Sequence, residues 1–544
     1  MYAPIQGLDH LGLATVAQDQ VLEHLSPGIR ALTIHPRYFS FYAFVIDEFW
    51  RRDFPRDALS FKRFYRNLEL VYSVGVNACE RKTHRGIGAV VGSSTTQTWA
   101  REKRDPLPPD LDYIQAGLGG YGLYYRGRMR ELEVILGADE DVPLIGGGTA
   151  RYAVDLCTSR IGLELAEAFR QAVAGTEFYQ RYLGTFQAVP FTAVREFGQA
   201  GCLCALAEGD APDRVPLLDM FMHAGVRPAE RRASFRYFLD LADQTQGLPV
   251  SEDTFRRLVY FGRSGNGAGF KPRAETLQTH RGWRMYQARE YYSFALNSLW
   301  ARLCELGIRL NGDLAPVPMT LLHDRIRDMS APDPLARALG IPVPGLGPES
   351  AWSEVVLWYQ TQAQAESAFE TDGARIDTLV NESVLLDLAR ATSSEVQVAA
   401  MVGVLALTWA RFGDRRMMAR PEWQLACLGS EERLSLDRFL RDLAQWSCAP
   451  MLTLGTVVSR LLDRYIITQH LLVASRKMPE NTFRFEREAD GLRFYQHGNP
   501  VEFTNSRFSA LSNHLVDLGL CGDLSSSAHG PSEDGRRLLE AGHL

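Results

Sequence analysis

Two stretches far apart in the chain carry nearly the same aromatic-rich string. Arg37-Tyr38-Phe39-Ser40-Phe41-Tyr42 runs on to Phe49-Trp50-Arg51-Arg52, and Arg289-Glu290-Tyr291-Tyr292-Ser293-Phe294 runs on to Trp300. So much rigid amphipathic surface at helical spacing must either build a core seam or grip a partner. The spacing puts Phe39, Tyr42, Phe49 and Trp50, and likewise Tyr292, Leu296 and Trp300, on packing faces. Two core helices, packed against each other, are therefore expected. The arginines at their ends are harder to absorb, because a buried charge needs a partner. Arg37, Tyr38, Tyr42, Arg51 and Arg289, with Trp50 beside them, are the candidate partner-binding residues if these helices face outward.

The chain has 544 residues, too many for one core, and length alone sets a prior of about three to four domains. Helical periodicity dominates and strand signals are few, which predicts a mainly α, multi-domain protein with one or two small winged-helix-like modules. Glycine and proline punctuation divides it into a helical domain (1–105), a winged-helix-like module (106–175) and a helical domain holding a basic region (176–330). A Pro/Gly-rich connection (331–350), a second helical domain (351–470) and a hairpin plus terminal winged-helix-like module (471–544) follow. The one alternating run, Thr482 to Tyr495, predicts a hairpin. The apolar run Ala399 to Ala410 is too short to span a bilayer and predicts a buried helix. Met1 to Thr15 lacks the pattern of a secretory signal.

The two small modules share a closing pattern. Ser159, Gly162, Leu165, Glu167 and Ala168 match Ser532, Gly535, Leu538, Glu540 and Ala541 at a fixed offset. In such a string the serine caps the helix and the leucine points inward. The match predicts a repeated module, each copy ending in a helix after a short strand.

No motif that carries chemistry is complete. Gly117-Leu118-Gly119-Gly120-Tyr121-Gly122 has the glycines of a phosphate loop but no following lysine and no preceding strand, so a turn is expected there. Gly146-Gly147-Gly148 reads as another turn. His35, His84, His223, His280 and His470 are dispersed, without partners in reach by sequence. Among the eight cysteines only Cys202 and Cys204 are close, and no second pair completes a zinc site. No metal and no cofactor is expected, and the thiols read as reduced and buried in a cytoplasm. Nuclease and serine-hydrolase motifs are incomplete or missing, so the reading leans away from an enzyme.

One segment departs from the acidic balance. Between Val226 and Arg289 there are 12 Lys or Arg against 6 Asp or Glu, in a chain of net charge −6. Phe235, Tyr237, Phe261, Trp283 and Tyr286 are interleaved with them. Such a surplus suits a phosphate-contacting face with stacking aromatics. Arg231, Arg232, Arg256, Arg257 and Arg284 are the candidate nucleic-acid contacts.

The R-Y-F-S-F-Y string after Leu25 to Ile34, the Gln287–Tyr292 run and the winged-helix-like tail together resemble uncharacterised bacterial proteins encoded among anti-phage defence genes. The resemblance covers short motifs only and names no activity. It implies a defence-system component that acts with partner proteins. The expected function is thus a non-catalytic subunit of an anti-phage or anti-plasmid complex, binding other subunits, with DNA as a further partner and no membrane. A DNA-binding transcriptional regulator and a nuclease with a site of dispersed carboxylates are the alternatives.

Overall fold

The computed structural model describes residues 9–81, 88, 90–138, 140–143, 147–311, 315–391, 394–429, 434–448, 451–499 and 501–543. His84 and Gly146 lie outside them. The chain is mainly α, as the periodicity predicts. It divides into two compact units, and neither is continuous in sequence. The first comprises Leu25–Glu252 with Ser506–Leu544, and the second Met1–His24 with Asp253–Asn505.

In the first unit, helix α1 (Arg37–Arg51) is buried from Arg37 through Phe49. The core reading of this aromatic string therefore holds. Phe41 stacks on Tyr72 at 4.0 Å, and Phe169 meets both rings edge-on. Tyr72 belongs to α2 (Ala58–Asn77), which Asp57 caps by accepting from the Leu59 and Ser60 amides. Helix α3 (Arg126–Glu131) leads into short strand pairs. Strand β1 (Ile135–Leu136) pairs antiparallel with β4 (Leu156–Cys157), and β2 (Val142–Pro143) with β3 (Thr149–Ala150). Helix α4 (Ile161–Val173) then packs along α1, and α5 (Phe191–Ala200) along α2. Helices α6 (Arg214–His223) and α7 (Pro228–Gln244) form an adjoining hairpin.

Glycine sets the distance between α2 and α5. A Cβ on Gly198 would lie 1.9 Å from the Gly75 carbonyl carbon, and one on Gly75 2.4 Å from the Val194 oxygen. Only two bare backbones fit at this crossing.

The second unit is organised on α8 (Leu277–Leu310), a 34-residue helix that carries the second aromatic string, with Tyr291, Tyr292, Phe294 and Trp300 all buried. Both aromatic strings are core, but in different units. Strand β5 (Val317–Pro318) follows. The stretch expected to be a connection, 331–350, instead contributes α9 (Asp333–Leu339), whose Leu335 and Ala336 are buried. Helices α9, α10 (Trp352–Ala363) and α11 (Glu382–Ala391) pack on α12 (Ser394–Phe412), which also lies against α8. The window Glu395–Phe412 is apolar and long enough to cross a membrane by composition, yet 78% of it is buried inside the protein. Helix α13 (Leu436–Ser447) closes this layer. The predicted hairpin is present as β6 (Phe485–Glu488) and β7 (Gly491–Phe494), and β5 pairs with β7 on its other edge.

The expected segment 471–544 is split, with its hairpin in the second unit and its terminal helices, α14 (Phe508–Asp517) and α15 (Glu533–Ala541), in the first. Pro/Gly punctuation marks loops between helices. The edges of a core are decided by packing between distant segments, which local composition does not encode.

The repeated pattern corresponds to a repeated backbone path. After α3, the Leu132, Glu133 and Val134 amides donate to the Arg128, Arg130 and Met129 carbonyls. After α14, the Leu518, Gly519 and Leu520 amides donate to His514, Val516 and Leu515. The middle residue is left-handed in both, with φ of 58° at Glu133 and 70° at Gly519. The chain returns antiparallel, by the Ile135–Cys157 pair in one copy and the Cys521–Pro531 bridge in the other. The Thr158 amide then donates to Val134 O, and the Ser532 amide to Leu520 O, at 3.0 and 2.9 Å. Gly162 and Gly535 sit where a Cβ would fall 2.2 and 1.9 Å from those same two oxygens. Leu165 and Leu538 are both fully buried. Ser532 caps its helix as expected, accepting from Gly535 N, but in the first copy Thr158, not Ser159, accepts from Gly162 N.

Candidate functional site

The arginines read as phosphate contacts are mostly turned inward. Arg231 is fully buried and donates to four carbonyls: Phe221 and Ala224 at 2.6 Å, Pro27 at 3.2 Å and Met220 at 3.4 Å. It closes the C-terminal end of α6, where carbonyls lack helical partners. Burial lowers its pKa to about 10. Arg256 is buried against Gln287 at 3.1 Å and the Thr504 carbonyl. Arg284 is buried against the Thr371 carbonyl. Arg232, half-buried, donates to Met222 O, and half-buried Arg257 pairs with Asp253 at 3.0 Å. Arg231 and Arg232 belong to the first unit, the other three to the second. The expected phosphate face is corrected accordingly: three of its five guanidinia are inside, because five-donor side chains in helical segments are well suited to capping carbonyls.

The partner-binding set is corrected in the same way. Arg37 makes a two-point contact with Asp213, at 3.1 and 2.9 Å, and both side chains are fully buried. Tyr38 accepts from the Val91 amide, Tyr42 donates to Glu69, and Arg289 donates to the Leu428 and Leu434 carbonyls. Arg51 alone of the five is exposed, paired with Asp47 at 2.6 Å. His35, read as lacking a partner, holds Asp517 at 2.7 Å and the Gly88 carbonyl at 2.8 Å.

The glycine-rich turn has an internal anion. Glu69, fully buried, accepts from Tyr42 Oη at 2.7 Å, Tyr113 Oη at 2.6 Å, Gly120 N at 2.8 Å and Tyr121 N at 2.9 Å. Burial still pushes its carboxyl up against those four donors. The amides that a phosphate loop offers to a nucleotide are used here on the protein's own carboxylate, so the turn expected at Gly117–Gly122 is present and structural.

A cluster that the sequence shows only in part lies at the ends of α2 and α5. The Gly75–Gly198 crossing holds these ends together, and each helix is followed by cysteine, Cys79 four residues past Gly75 and Cys202 four residues past Gly198. Cys204 follows on the next turn. All three Sγ atoms lie within 4.8 Å of one another, and Cys202 Sγ is 3.1 Å from Cys204 Sγ. Cys202 and Cys204 are buried and Cys79 is half-buried. Hydrogen bonds from Cys202 and Cys204, helped by the Arg81 backbone and charge, hold the Cys79 thiol down at about 3. Hydrogen bonds to Cys204 and Cys79, with burial, push Cys202 up. Arg37 donates to the Cys202 carbonyl, and Tyr72 to the Gly201 carbonyl at 2.7 Å, which fixes the C-x-C turn. The reading of scattered thiols is corrected for these three. The C-x-C pair was visible, but its third member comes from a distant helix end.

In the second unit, two adjoining apolar clefts of about 620 and 550 Å³ share Trp409 and Ser447. Phe412, Trp423 and Leu440 line the first, and Trp352 and Val356 the second. Their rims carry exposed apolar side chains, Leu357 at 61%, Met418 at 39% and Met451 at 91% exposure. Apolar groups left this open at the mouth of a cleft mark a surface that prefers to be covered.

The chain matches no family model, no curated protein and no solved structure.

Proposed function

We propose that the chain is a non-catalytic subunit of a bacterial, cytoplasmic defence complex and works by binding partner proteins. The observation that carries partner binding is the apolar cleft pair around Trp409, with Leu357, Met418 and Met451 exposed on its rim. The defence setting rests on the resemblance of the short strings. Two copies of a helix–turn–antiparallel return–helix path, read as winged-helix-like, favour DNA binding as the second reading. The inward arginines weaken it, since groove binding draws most of its affinity from exposed phosphate contacts. No observation favours the nuclease alternative.

Affinity purification of the tagged full-length chain from its native cells tests the first reading. A stoichiometric protein partner is expected, and Leu357→Glu with Met451→Glu should release it while the melting curve stays unchanged. Purification of the chain alone, or a partner indifferent to both substitutions, counts against the reading. Binding to duplex DNA at low salt, with steep loss as salt rises, promotes the second reading, and no binding at low salt ends it.

A further inference from the structure

We propose that Cys79, Cys202 and Cys204 form a binding site for a thiophilic divalent cation, with zinc as the natural occupant. Zinc takes cysteine sulfur at about 2.3 Å, which in a tetrahedral arrangement separates the sulfurs by about 3.8 Å. Three Sγ atoms already within 4.8 Å of one another need only small rotamer adjustments to close on one ion, and the 3.1 Å Cys202–Cys204 pair needs to open slightly. A disulfide is a poorer description, because it joins two sulfurs and leaves the third without a role.

The surroundings suit a cation. Helices α2 and α5 both end at the cluster, and the C-terminal end of a helix carries partial negative charge. Negative ends oppose three thiolates side by side and favour the same three around a divalent ion. Three thiolates and a divalent ion leave one negative charge, and Arg81 and the buried Arg37 stand beside it on two sides, each also paired with a carboxylate, Glu208 and Asp213. The Gly75–Gly198 crossing holds the two ligand-bearing ends at a set distance, so the site is built into the core of the first unit. Cys202 and Cys204 are buried and Cys79 is half-buried, so a fourth ligand, water or an incoming donor, enters on the Cys79 side. Three protein ligands with one open position is the arrangement of an exchangeable or reactive zinc, whereas closed structural sites use four.

The test uses the full-length chain, purified reduced and stripped of metal, then titrated with zinc against a chromophoric chelator. About one zinc per chain is expected, and cobalt in its place should show thiolate-to-metal charge transfer. Cys79→Ser and Cys202→Ser should each weaken binding by at least about 100-fold, while Cys304→Ser, buried elsewhere, leaves it unchanged. Because a variant in the core can misfold, the unaltered chain supplies a second readout: zinc should slow alkylation of Cys79, located by mass spectrometry, and a chelator should restore it. The proposal is overturned if the reduced chain takes up no zinc, if both serine variants bind as tightly as the native chain, or if zinc leaves the alkylation of Cys79 unchanged.

Discussion

Arg231→Met separates a structural arginine from a phosphate contact. The native guanidinium makes four carbonyl contacts at 2.6, 2.6, 3.2 and 3.4 Å with no exposure to solvent. Removing it strands the Phe221, Ala224 and Pro27 carbonyls at roughly 1–2 kcal/mol each, or about 3–6 kcal/mol in all, while the Met220 carbonyl keeps the Ala224 amide. Removing a desolvated charge is favourable. The fall from 12.5 to about 10 corresponds to roughly 3 kcal/mol at about 1.4 kcal/mol per unit. The net loss is then about 1–2 kcal/mol, with the methionine stem keeping most of the packing. Arg232→Met removes one 3.2 Å contact from a half-exposed side chain and should cost below about 1 kcal/mol. Urea unfolding of the two variants resolves that difference, and a DNA titration at two salt concentrations is run beside it. Equal stabilities for the two variants would show that the carbonyl cap is not what Arg231 does. A full-stability Arg231→Met that loses DNA affinity would restore the phosphate reading.

Three further outcomes follow from other buried groups. Burial pushes the Glu290 carboxyl up to about 7, with Arg256 and the Thr504 amide opposing only in part. A folded-state value above the unfolded one gives stability that is complete below about pH 4.5 and lost as pH rises through 7, roughly 3 kcal/mol over the shift. Glu290→Gln should flatten that decline, and denaturation midpoints at pH 5.5 and 8.5 check it; parallel slopes in both proteins would contradict the assignment. Gly198→Ala forces a Cβ to 1.9 Å from the Gly75 backbone, which should cost more than about 2 kcal/mol and lower zinc uptake together, whereas Gly175→Ala, with open space around it, should do neither. Arg411→Met takes the ion-pair partner at 2.6 Å from the fully buried Glu382 and should cost about 3–5 kcal/mol. Pairing it with Glu382→Leu should recover part of that loss in calorimetry, and no recovery would mean the two do not act as a pair.

Much of the scaffold was readable residue by residue. The burial of α12 follows from its unbroken apolar run, and the hairpin at Phe485–Phe494 and the burial of both aromatic strings follow from periodicity, since a 3.6- or 2-residue repeat reports which face is covered. The matched glycines Gly162 and Gly535 marked a real repeat because each meets a backbone carbonyl, of Val134 or Leu520, at a distance that excludes any side chain. The cap beside them was misplaced by one residue, from Ser159 to Thr158, since either hydroxyl satisfies the same local rule.

The candidate sites were less readable, and for one reason. Charge counting places arginines on a helix but is silent on which carbonyls lie opposite, so a basic surplus passed for a surface. A glycine-rich turn looks the same whether its amides await a phosphate or already hold Glu69. Cys202-x-Cys204 is a half-written site until the α2–α5 crossing brings Cys79 to it. Local sequence thus settles helix, hairpin, turn and buried face, because these depend on near neighbours along the chain. The partner of each buried charge, the membership of each unit and the assembly of the three thiols depend on segments that meet only when the chain packs.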